Sequence, residues 1–350
     1  MNTRRSLPGD LMPVILVGLV LLITGMASVR FYRFVFRPNV DLHGRSSVVV
    51  NIPSGSDFLS VSHLLISQGY LIHLPSFEFT SRRMNYTDHV KAGRYRLVNG
   101  MNNRDLIGLL RSGRQEPVRV MLQNVRTKEE LAGKLGSQLE ADSLKFMKLF
   151  NDSSFLARYG FERTTLLTAF IPNTYEIYWN TSAAQLFKRM HREYKKFWQG
   201  KRSKQCDSLG YTIAEVTTLA SIIEKETARD SEKPVMAGVY INRLKKRIPL
   251  QADPTVIYAW NDYSIRRVYK KHTEINSPYN TYKFAGLPPG PICIPSIASI
   301  DAVLNYQPGL FLYFCAKEDL SGYHNFAATL QQHNRNAIKY QEALNKLNIK

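Results

Sequence analysis

The sequence predicts an α+β protein carried on an N-terminal membrane-spanning helix. Three observations lead to this fold class. An uncharged apolar stretch lies near the N-terminus, the next part of the chain mixes strand and helix patterns in about 65 residues, and the full length of 350 residues is enough for two or three domains. A hydrophobic content of 44% is ordinary for a globular protein.

The apolar stretch runs from Leu11 to Val29 without a charged residue. This length is close to the roughly 20 apolar residues that a helix needs to cross a bilayer. Pro13 lies in the first turn, where proline is tolerated. A cleaved signal peptide would have a shorter apolar core and a clear small-residue cleavage site, and a buried core helix is rarely apolar on every face. We therefore predict a retained single-pass anchor.

Charges around the span do not settle its orientation. Arg4 and Arg5 precede it, whereas Arg30, Arg33 and Arg37 follow it. Counting positive charges on the two sides leans, if anything, against an N-terminus on the cytoplasmic side. The nature of the domain that follows must decide the orientation.

A small α+β module is predicted after the span. "VVVNI" from Val48 has the composition of a strand, and Ser56 or Asp57 is placed to cap the helix that follows. "GRYRL" alternates as a strand does, and "MNNRDLIGLLRSG" predicts a helix that ends at Gly113. A second domain then begins with the strand "PVRVML" and a helix with a capping-box pattern from Thr127 to Glu130.

One acidic residue lies on the apolar side of a predicted helix. In "LASIIEKET", helical periodicity places Glu226 on the same stripe as Leu219, Ile222 and Ile223. Burial beside aliphatic side chains raises a carboxyl pKa, and an acid that is protonated near neutral pH can act as a general acid. The structural alternative is a buried hydrogen bond or ion pair, for example with Arg243, and helix phase alone leaves both open.

Two downstream segments combine short polar side chains with tyrosines, namely "LQADPTVIYAW" and "NSPYNTYKFAGLPPGPI". This combination suits a carbohydrate groove. An ordered loop braced by aromatic rings is the alternative interpretation, and Asp253 beside Pro254 can also simply shape a turn. The candidate substrate-binding residues are Gln251, Asp253, Thr255, Tyr258, Ser277, Asn280, Thr281 and Tyr282.

Composition excludes several other functions. The net charge of +19 suits nucleic acid, anionic lipid or an acidic polymer, but the basic residues are scattered and form no nucleic-acid-binding motif. The three cysteines are far apart and form no CxxC pair. The sequence has no metal-binding spacing and no phosphate-loop or GxSxG pattern, so we expect neither a metal nor a cofactor.

Five motifs together resemble one known family. "LASIIEKET", "VYINRL", "LQADPTVIY", "SPYNTY" and "GLPPGPI" occur in the order and spacing of the YceG-like endolytic murein transglycosylases (the MltG family). "KAGRYRL", "IPNTYE" and the dipeptide His333-Asn334 also match. The chain departs from the family at Asn173, where an aspartate is usual, and at Gln332, where a glutamate is frequent, which puts the neighbouring groove contacts in doubt.

The resemblance implies a membrane-anchored lytic transglycosylase with a small LysM-like module. Such an enzyme cleaves the β-1,4 bond between N-acetylmuramic acid and N-acetylglucosamine in nascent glycan strands, leaves 1,6-anhydro-N-acetylmuramic acid ends and limits strand elongation. The family's catalytic glutamate corresponds to Glu226. The implied order is a cytoplasmic tail 1–10, the transmembrane helix 11–29, a linker 30–45, a LysM-like module 46–115 and a catalytic domain 116–350.

The resemblance also predicts location and partners. Peptidoglycan lies outside the cytoplasmic membrane, so the catalytic domain is expected on that side, with glycan strands, the membrane and peptidoglycan synthases as partners and no nucleic acid. Two other functions remain open at this point. One is a hydrolase that uses Asp253 or Glu224 as a second acid, and the other is a non-enzymatic wall-binding scaffold.

Overall fold

The computed structural model describes residues 11–346, and the predicted tail 1–10 lies outside this range. The chain forms two compact units, each with its own hydrophobic core. The first unit comprises residues up to Val118 together with Tyr178–Asn180, and the second comprises Arg119–Ile177 and the chain from Thr181 onwards. Helices and short two-stranded sheets are present in a mixed order, which confirms the predicted α+β class.

The helices and strands follow one another along the chain in an irregular order. In the first part they are α1 (Leu11–Phe36), β1 (Ser47–Ile52), α2 (Phe58–Ser67), α3 (Leu74–Arg83), β2 (Gly93–Val98), α4 (Asn103–Ser112) and β3 (Val118–Met121). They continue with α5 (Lys128–Gly136), α6 (Ser143–Asn151), α7 (Ser153–Ala157), β4 (Thr174–Ile177), α8 (Ala183–Trp198), α9 (Lys201–Leu209) and α10 (Ile213–Glu226). The last are α11 (Lys233–Lys245), α12 (Asp253–Trp260), α13 (Ile297–Leu304), β5 (Tyr313–Ala316), β6 (His324–Ala327) and α14 (Leu330–Lys346).

The first unit is built on an antiparallel pair, β1 and β2, with Ser47 opposite Val98 and Ile52 opposite Gly93. Alternate residues of β1 face the core, as the period of two along a strand requires. Its core also takes buried aromatic and aliphatic side chains from α2, α3 and α4. The LysM-like character of this unit stays a prediction.

Side-chain caps define the helix starts close to where the sequence predicts them. Asp57, rather than Ser56, caps α2 by accepting a hydrogen bond from the Ser60 amide at 2.8 Å. Thr127 caps α5, but the predicted capping box is incomplete because Glu130 accepts from the Arg126 amide at 2.7 Å instead of the Thr127 amide.

The first helix runs from the apolar stretch into the core of the first unit. α1 contains the one membrane-length apolar helix among the described residues, Met12–Phe36. The stretch 30–45, treated as a linker in the sequence analysis, holds the last turns of α1 and the buried side chains of Val35, Val40 and Leu42. The carbonyl of Phe34 accepts a hydrogen bond from Asn103 Nδ2 at 2.8 Å, which joins α1 to α4.

The second unit is organised around α10. This helix begins with a complete capping box between Thr212 and Glu215. It packs against α11, α12 and α13, and most of its side chains after the first turn are buried. Its C-terminal end, where Glu226 lies, is therefore held by the core on several sides.

Candidate active site

Glu226 is the last residue of α10 and continues its apolar stripe. Leu219, Ile222 and Ile223 are at most 1% exposed, whereas Glu226 is half-buried. Thr227 is extended, so the helix ends directly after the acid. The helix phase seen in the sequence is thus the phase of the structure, and it brings one carboxyl group to the end of an apolar helix face.

The Glu226 carboxyl has one direct hydrogen-bond partner, Tyr240 of α11. The Tyr240 hydroxyl donates to Oε1 of Glu226 at 2.6 Å. The pKa of Glu226 is raised to about 7. Desolvation is the largest cause, and the charge of Asp253 adds to it. The hydrogen bond from Tyr240 and the charge of Arg243 oppose the shift. The group is therefore poised between its protonated and ionised forms near neutral pH.

Arg243 lies near Glu226 but is bound to other atoms. Its guanidinium donates to the carbonyls of Leu312 at 2.6 Å and Leu250 at 3.0 Å, and to Gln251 Oε1 at 3.3 Å. It also lies over the ring of Tyr313, 5.1 Å from the centroid. The alternative of a Glu226–Arg243 ion pair does not appear among the ion pairs of the described residues. Arg243 acts on Glu226 through its charge, and it ties α11 to two later segments of the chain.

Asp253 and Tyr282 form a second carboxyl–tyrosine pair in the site. The Tyr282 hydroxyl donates to Asp253 Oδ1 at 2.5 Å. Asp253 lies at the surface as the first residue of α12. Partial desolvation raises its pKa and the Tyr282 hydrogen bond opposes this shift. Both residues act electrostatically on Glu226 or its partner Tyr240, so the structure brings them into the site.

Three of the other candidate residues are buried and bonded within the protein. Thr255 and Thr281 share a hydroxyl–hydroxyl bond of 2.8 Å, and Thr281 also accepts from the Ala252 amide at 3.0 Å. Asn280 donates to the carbonyls of Thr273 and Ile275 at 2.9 and 2.8 Å. These side chains hold two loops together, and their polar atoms face the protein.

The remaining candidates differ in their exposure. Gln251 is exposed and adopts a positive φ of 51° in the turn before α12. Tyr258 is half-buried and packs on Tyr279, with ring centroids 4.7 Å apart. The Ser277 hydroxyl accepts from the Tyr279 amide at 3.3 Å and shapes the turn there.

Glu224, two residues before Glu226, points to a different set of partners. Its Oε2 accepts hydrogen bonds from Ser296 and Ser299 at 2.5 Å each and from Lys233 Nζ at 3.2 Å. Burial alone would raise the pKa of Glu224, but the two serine hydroxyls and the lysine outweigh it and lower the pKa. Glu224 is therefore an ionised structural group with its oxygen fully engaged.

A cavity of about 510 Å³ adjoins this end of α10. Its lining includes Asn124, Lys225, Glu226 and Asp230. No group of three or more histidine, cysteine or acidic side chains within residues 11–346 is arranged to hold a metal ion. The chemistry that this arrangement can perform is proton transfer by a half-buried carboxyl.

Tyr240 was not among the residues predicted from the sequence, although it lies in the motif "VYINRL". Tyr240 and Arg243 are three residues apart in "VYINRL", which places both on one side of α11. That spacing is the signal available in the sequence.

The departures Asn173 and Gln332 make local contacts, to the Thr174 amide at 2.7 Å and the Ala328 amide at 3.3 Å.

Together these features define a class: a mixed α+β domain that presents one half-buried carboxylic acid beside tyrosines. The chain belongs to the YceG-like family, whose model matches residues 50–339.

Relatives of known name share most of this chain. It is 30% identical over 337 residues to the endolytic murein transglycosylase of Streptococcus pneumoniae, covering 86% of this chain and 60% of that protein. It is 28% identical over 322 residues to the endolytic murein transglycosylase of Bacillus subtilis, covering 87% of this chain and 88% of that protein. The chain thus spans about 60% of the length of the streptococcal relative.

A solved structure shares the fold. The crystal structure of a yceG-like protein from Listeria monocytogenes superposes with a TM-score of 0.56 at 28% identity, covering 83% of this chain and 98% of that one.

Proposed function

We propose that this protein is a membrane-anchored lytic transglycosylase that cuts peptidoglycan glycan strands, with Glu226 as its catalytic acid. The observation that carries the proposal is the half-buried Glu226, whose pKa is raised to about 7 by desolvation. Its position in a YceG-like chain and the names of the relatives in Streptococcus pneumoniae and Bacillus subtilis support the substrate class.

The proposed reaction uses one carboxyl group twice. Protonated Glu226 gives its proton to the glycosidic oxygen as the bond from C1 of N-acetylmuramic acid to that oxygen breaks. The resulting carboxylate then takes the proton of the C6 hydroxyl of the same sugar, and that oxygen bonds to C1. The product end is 1,6-anhydro-N-acetylmuramic acid, and no water is consumed.

The hydrogen bond from Tyr240 gives the two carboxyl oxygens different roles. Oε1 accepts from the tyrosine hydroxyl, so Oε2 is left to carry the exchanged proton. The bond also limits rotation of the carboxyl group, which favours a fixed geometry for proton transfer.

The charge that develops on the sugar ring needs stabilisation. Asp253 lies at the surface with Tyr282 donating to it, and we assign to this pair the electrostatic support of the oxocarbenium-like transition state. Of the other candidates, the exposed Gln251 and the half-buried Tyr258 and Ser277 are proposed to contact sugar, whereas Thr255, Asn280 and Thr281 position the loops that carry them.

We assign the enzyme to the cytoplasmic membrane on the basis of its N-terminal helix. α1 has the length and composition of a single span. We assign the second unit to the wall side because the proposed substrate lies there, and a long domain is translocated largely regardless of flanking arginines. The net charge of +19 then favours contact with anionic lipid and with the carboxylates of stem peptides.

Product analysis of the wild type and of Glu226→Gln tests the proposal. Purified full-length chain in detergent is incubated with uncrosslinked glycan strands, and the new ends are identified by mass spectrometry. We expect anhydro ends from the wild type and a loss of about 10³-fold in rate for Glu226→Gln, in the range of general acid catalysis. Glu193→Gln, which changes a half-buried glutamate of α8, is the matched control and should retain the wild-type rate. Reducing ends as the main product would replace the lyase by a hydrolase, and an active Glu226→Gln variant would remove Glu226 from the mechanism.

A further inference from the structure

A groove of about 1630 Å³ lies within the first unit, between α1 and the region where α3 begins. Its wall on α1 is apolar over the residues nearer the N-terminus and cationic over the last turns. We call it the α1 groove and define it by Gly25, Met26, Val29, Arg33, Arg37 and His73.

The depth of the groove follows from helix geometry. At a rise of 1.5 Å per residue, about 20 residues cross the roughly 30 Å of bilayer hydrocarbon. Counted from Leu11, the hydrocarbon therefore ends near Arg30. The apolar wall lies at the depth of acyl chains, and Arg33 and Arg37 lie at the depth of lipid headgroups.

The cationic end of the groove forms no ion pair with an acidic residue of the described range 11–346. α1 carries no acidic residue, and Arg30, Arg33 and Arg37 are exposed. None of them belongs to an ion pair between residues of the described part of the chain. Their charges are available to a ligand.

More positive charge surrounds this end of the helix. Arg83 of α3 lies over the ring of Phe79 and Arg104 of α4 lies over the ring of Phe36, at 5.5 and 5.7 Å from the centroids. His73 caps α3, so the groove also borders the N-terminal end of a helix dipole. The helix N-terminus at His73 borders the groove itself, and the two arginines add to the positive charge of the first unit.

Buried polar contacts hold the two walls of the groove together. Asn103, which is fully buried, donates to the Phe34 carbonyl at 2.8 Å and accepts from Asn39 Nδ2 at 2.7 Å. Thr80 of α3 also donates to the Phe34 carbonyl at 3.3 Å. The groove is thus a formed site in the first unit, because α1 is fixed against α3 and α4.

We propose that the α1 groove binds an anionic phospholipid from the membrane. One acyl chain lies along Met26 and Val29, and the headgroup phosphate lies between Arg33, Arg37 and the start of α3. Apolar and cationic walls in this order match the two ends of such a lipid. The inference rests on the anchoring part of the proposed function and is independent of the reaction at Glu226.

Lipid binding to the delipidated full-length chain tests the headgroup contact. The chain is titrated in neutral detergent with dioleoyl phosphatidylglycerol, dioleoyl phosphatidylcholine or inorganic phosphate, and bound lipid is counted by native mass spectrometry. At about 1 kcal/mol per arginine, Arg33→Gln with Arg37→Gln should weaken phosphatidylglycerol binding about 30-fold. The charge-matched control is Arg111→Gln with Arg114→Gln, in the last turn of α4 and just after it and outside the groove lining, and it should bind as the wild type.

A second pair of variants tests the acyl-chain contact. Gly25 and Gly18 both have open space where a side chain would begin, but only Gly25 lines the groove. Gly25→Leu should therefore fill the groove and lower lipid affinity about tenfold, whereas Gly18→Leu should leave it unchanged. These variants keep every charge, so they remain informative if the arginine variant folds poorly.

Several outcomes would overturn the proposal. The wild type would bind the two lipids equally, or both arginine double variants would lose the same affinity for phosphatidylglycerol. The two glycine variants would change lipid affinity equally, or inorganic phosphate would displace phosphatidylglycerol at equal concentration. Glu226→Gln should bind lipid as the wild type does, so a failure of the proposed catalysis leaves this readout intact.

Discussion

Removing the Tyr240 hydroxyl should shift the pH profile of the enzyme in a defined direction. The hydroxyl donates to Glu226 Oε1 at 2.6 Å and stabilises the ionised carboxylate. Hydrogen bonds to charged groups contribute about 1.5–3 kcal/mol, and each pKa unit corresponds to about 1.36 kcal/mol. Tyr240→Phe should therefore raise the pKa of Glu226 by about one to two units.

The sign of the effect on activity follows from the role of the protonated acid. A higher pKa keeps Glu226 protonated to higher pH, so the basic limb of kcat/KM should move upward by the same one to two units. The rate on the plateau should fall by about tenfold, because the carboxyl group is held less firmly. A residue with a purely structural role would lower the rate without moving the limb.

The assay is glycan cleavage by the full-length chain between pH 5 and 9, followed by mass spectrometry of anhydro ends. Tyr306→Phe is the matched control, since this tyrosine packs against the same core and its hydroxyl contacts Lys245 of α11 rather than Glu226. A basic limb that stays in place or moves downward in Tyr240→Phe would show that the hydroxyl does not stabilise the ionised form of Glu226.

Three further predictions concern stability and charge in the second unit. Burial raises the folded-state pKa of Glu226 to about 7 from the usual 4.5. The free energy of unfolding should therefore fall by up to about 3 kcal/mol between pH 4.5 and 7, because the unfolded state loses its proton first. Glu226→Gln should remove this pH dependence in urea unfolding, and an unchanged dependence would contradict the raised pKa. Gly290→Ala would place a Cβ 1.9 Å from the Thr164 carbonyl oxygen, so we expect a lower melting temperature, whereas Gly133→Ala, with open space on a helix, should melt as the wild type or higher. Asp253→Asn removes a negative charge that raises the pKa of Glu226, so the basic limb of kcat/KM should move to lower pH, and an upward shift would count against the site geometry.

Helix periodicity was sufficient to predict that Glu226 continues the apolar stripe of its helix. The positions of Leu219, Ile222 and Ile223 relative to Glu226 depend only on the turn angle of one helix, and a helix keeps that angle in any tertiary setting. The same reasoning predicted α10 itself and the caps of α2 and α4. Such features are local, so a single segment of sequence contains them.

The partner of the acid could not be found in that way. Tyr240 reaches Glu226 across the packing of α11 on α10, and the sequence does not state which faces of two helices meet. Arg243 was considered as an ion-pair partner, but it donates to the carbonyls of Leu250 and Leu312, 7 and 69 residues further along the chain.

Polarity alone also could not separate groove residues from loop braces. Thr281 and Asn280 stand beside Tyr282 in "SPYNTY", and all three have polar groups suited to sugars. In the structure the first two are at most 1% exposed and satisfy their hydrogen bonds internally, whereas Tyr282 reaches Asp253 at the surface. The difference depends on which way each side chain points, which is set by the turn between them.

The proposed mechanism requires Glu226 to keep its proton up to about pH 7. Carbon-13 labelling of the glutamate carboxyls, with the Glu226 signal assigned by its loss in Glu226→Gln, measures this directly in an NMR titration. We expect this signal to titrate with a pKa of about 7. A midpoint near the 4.5 of an ordinary glutamate would contradict it.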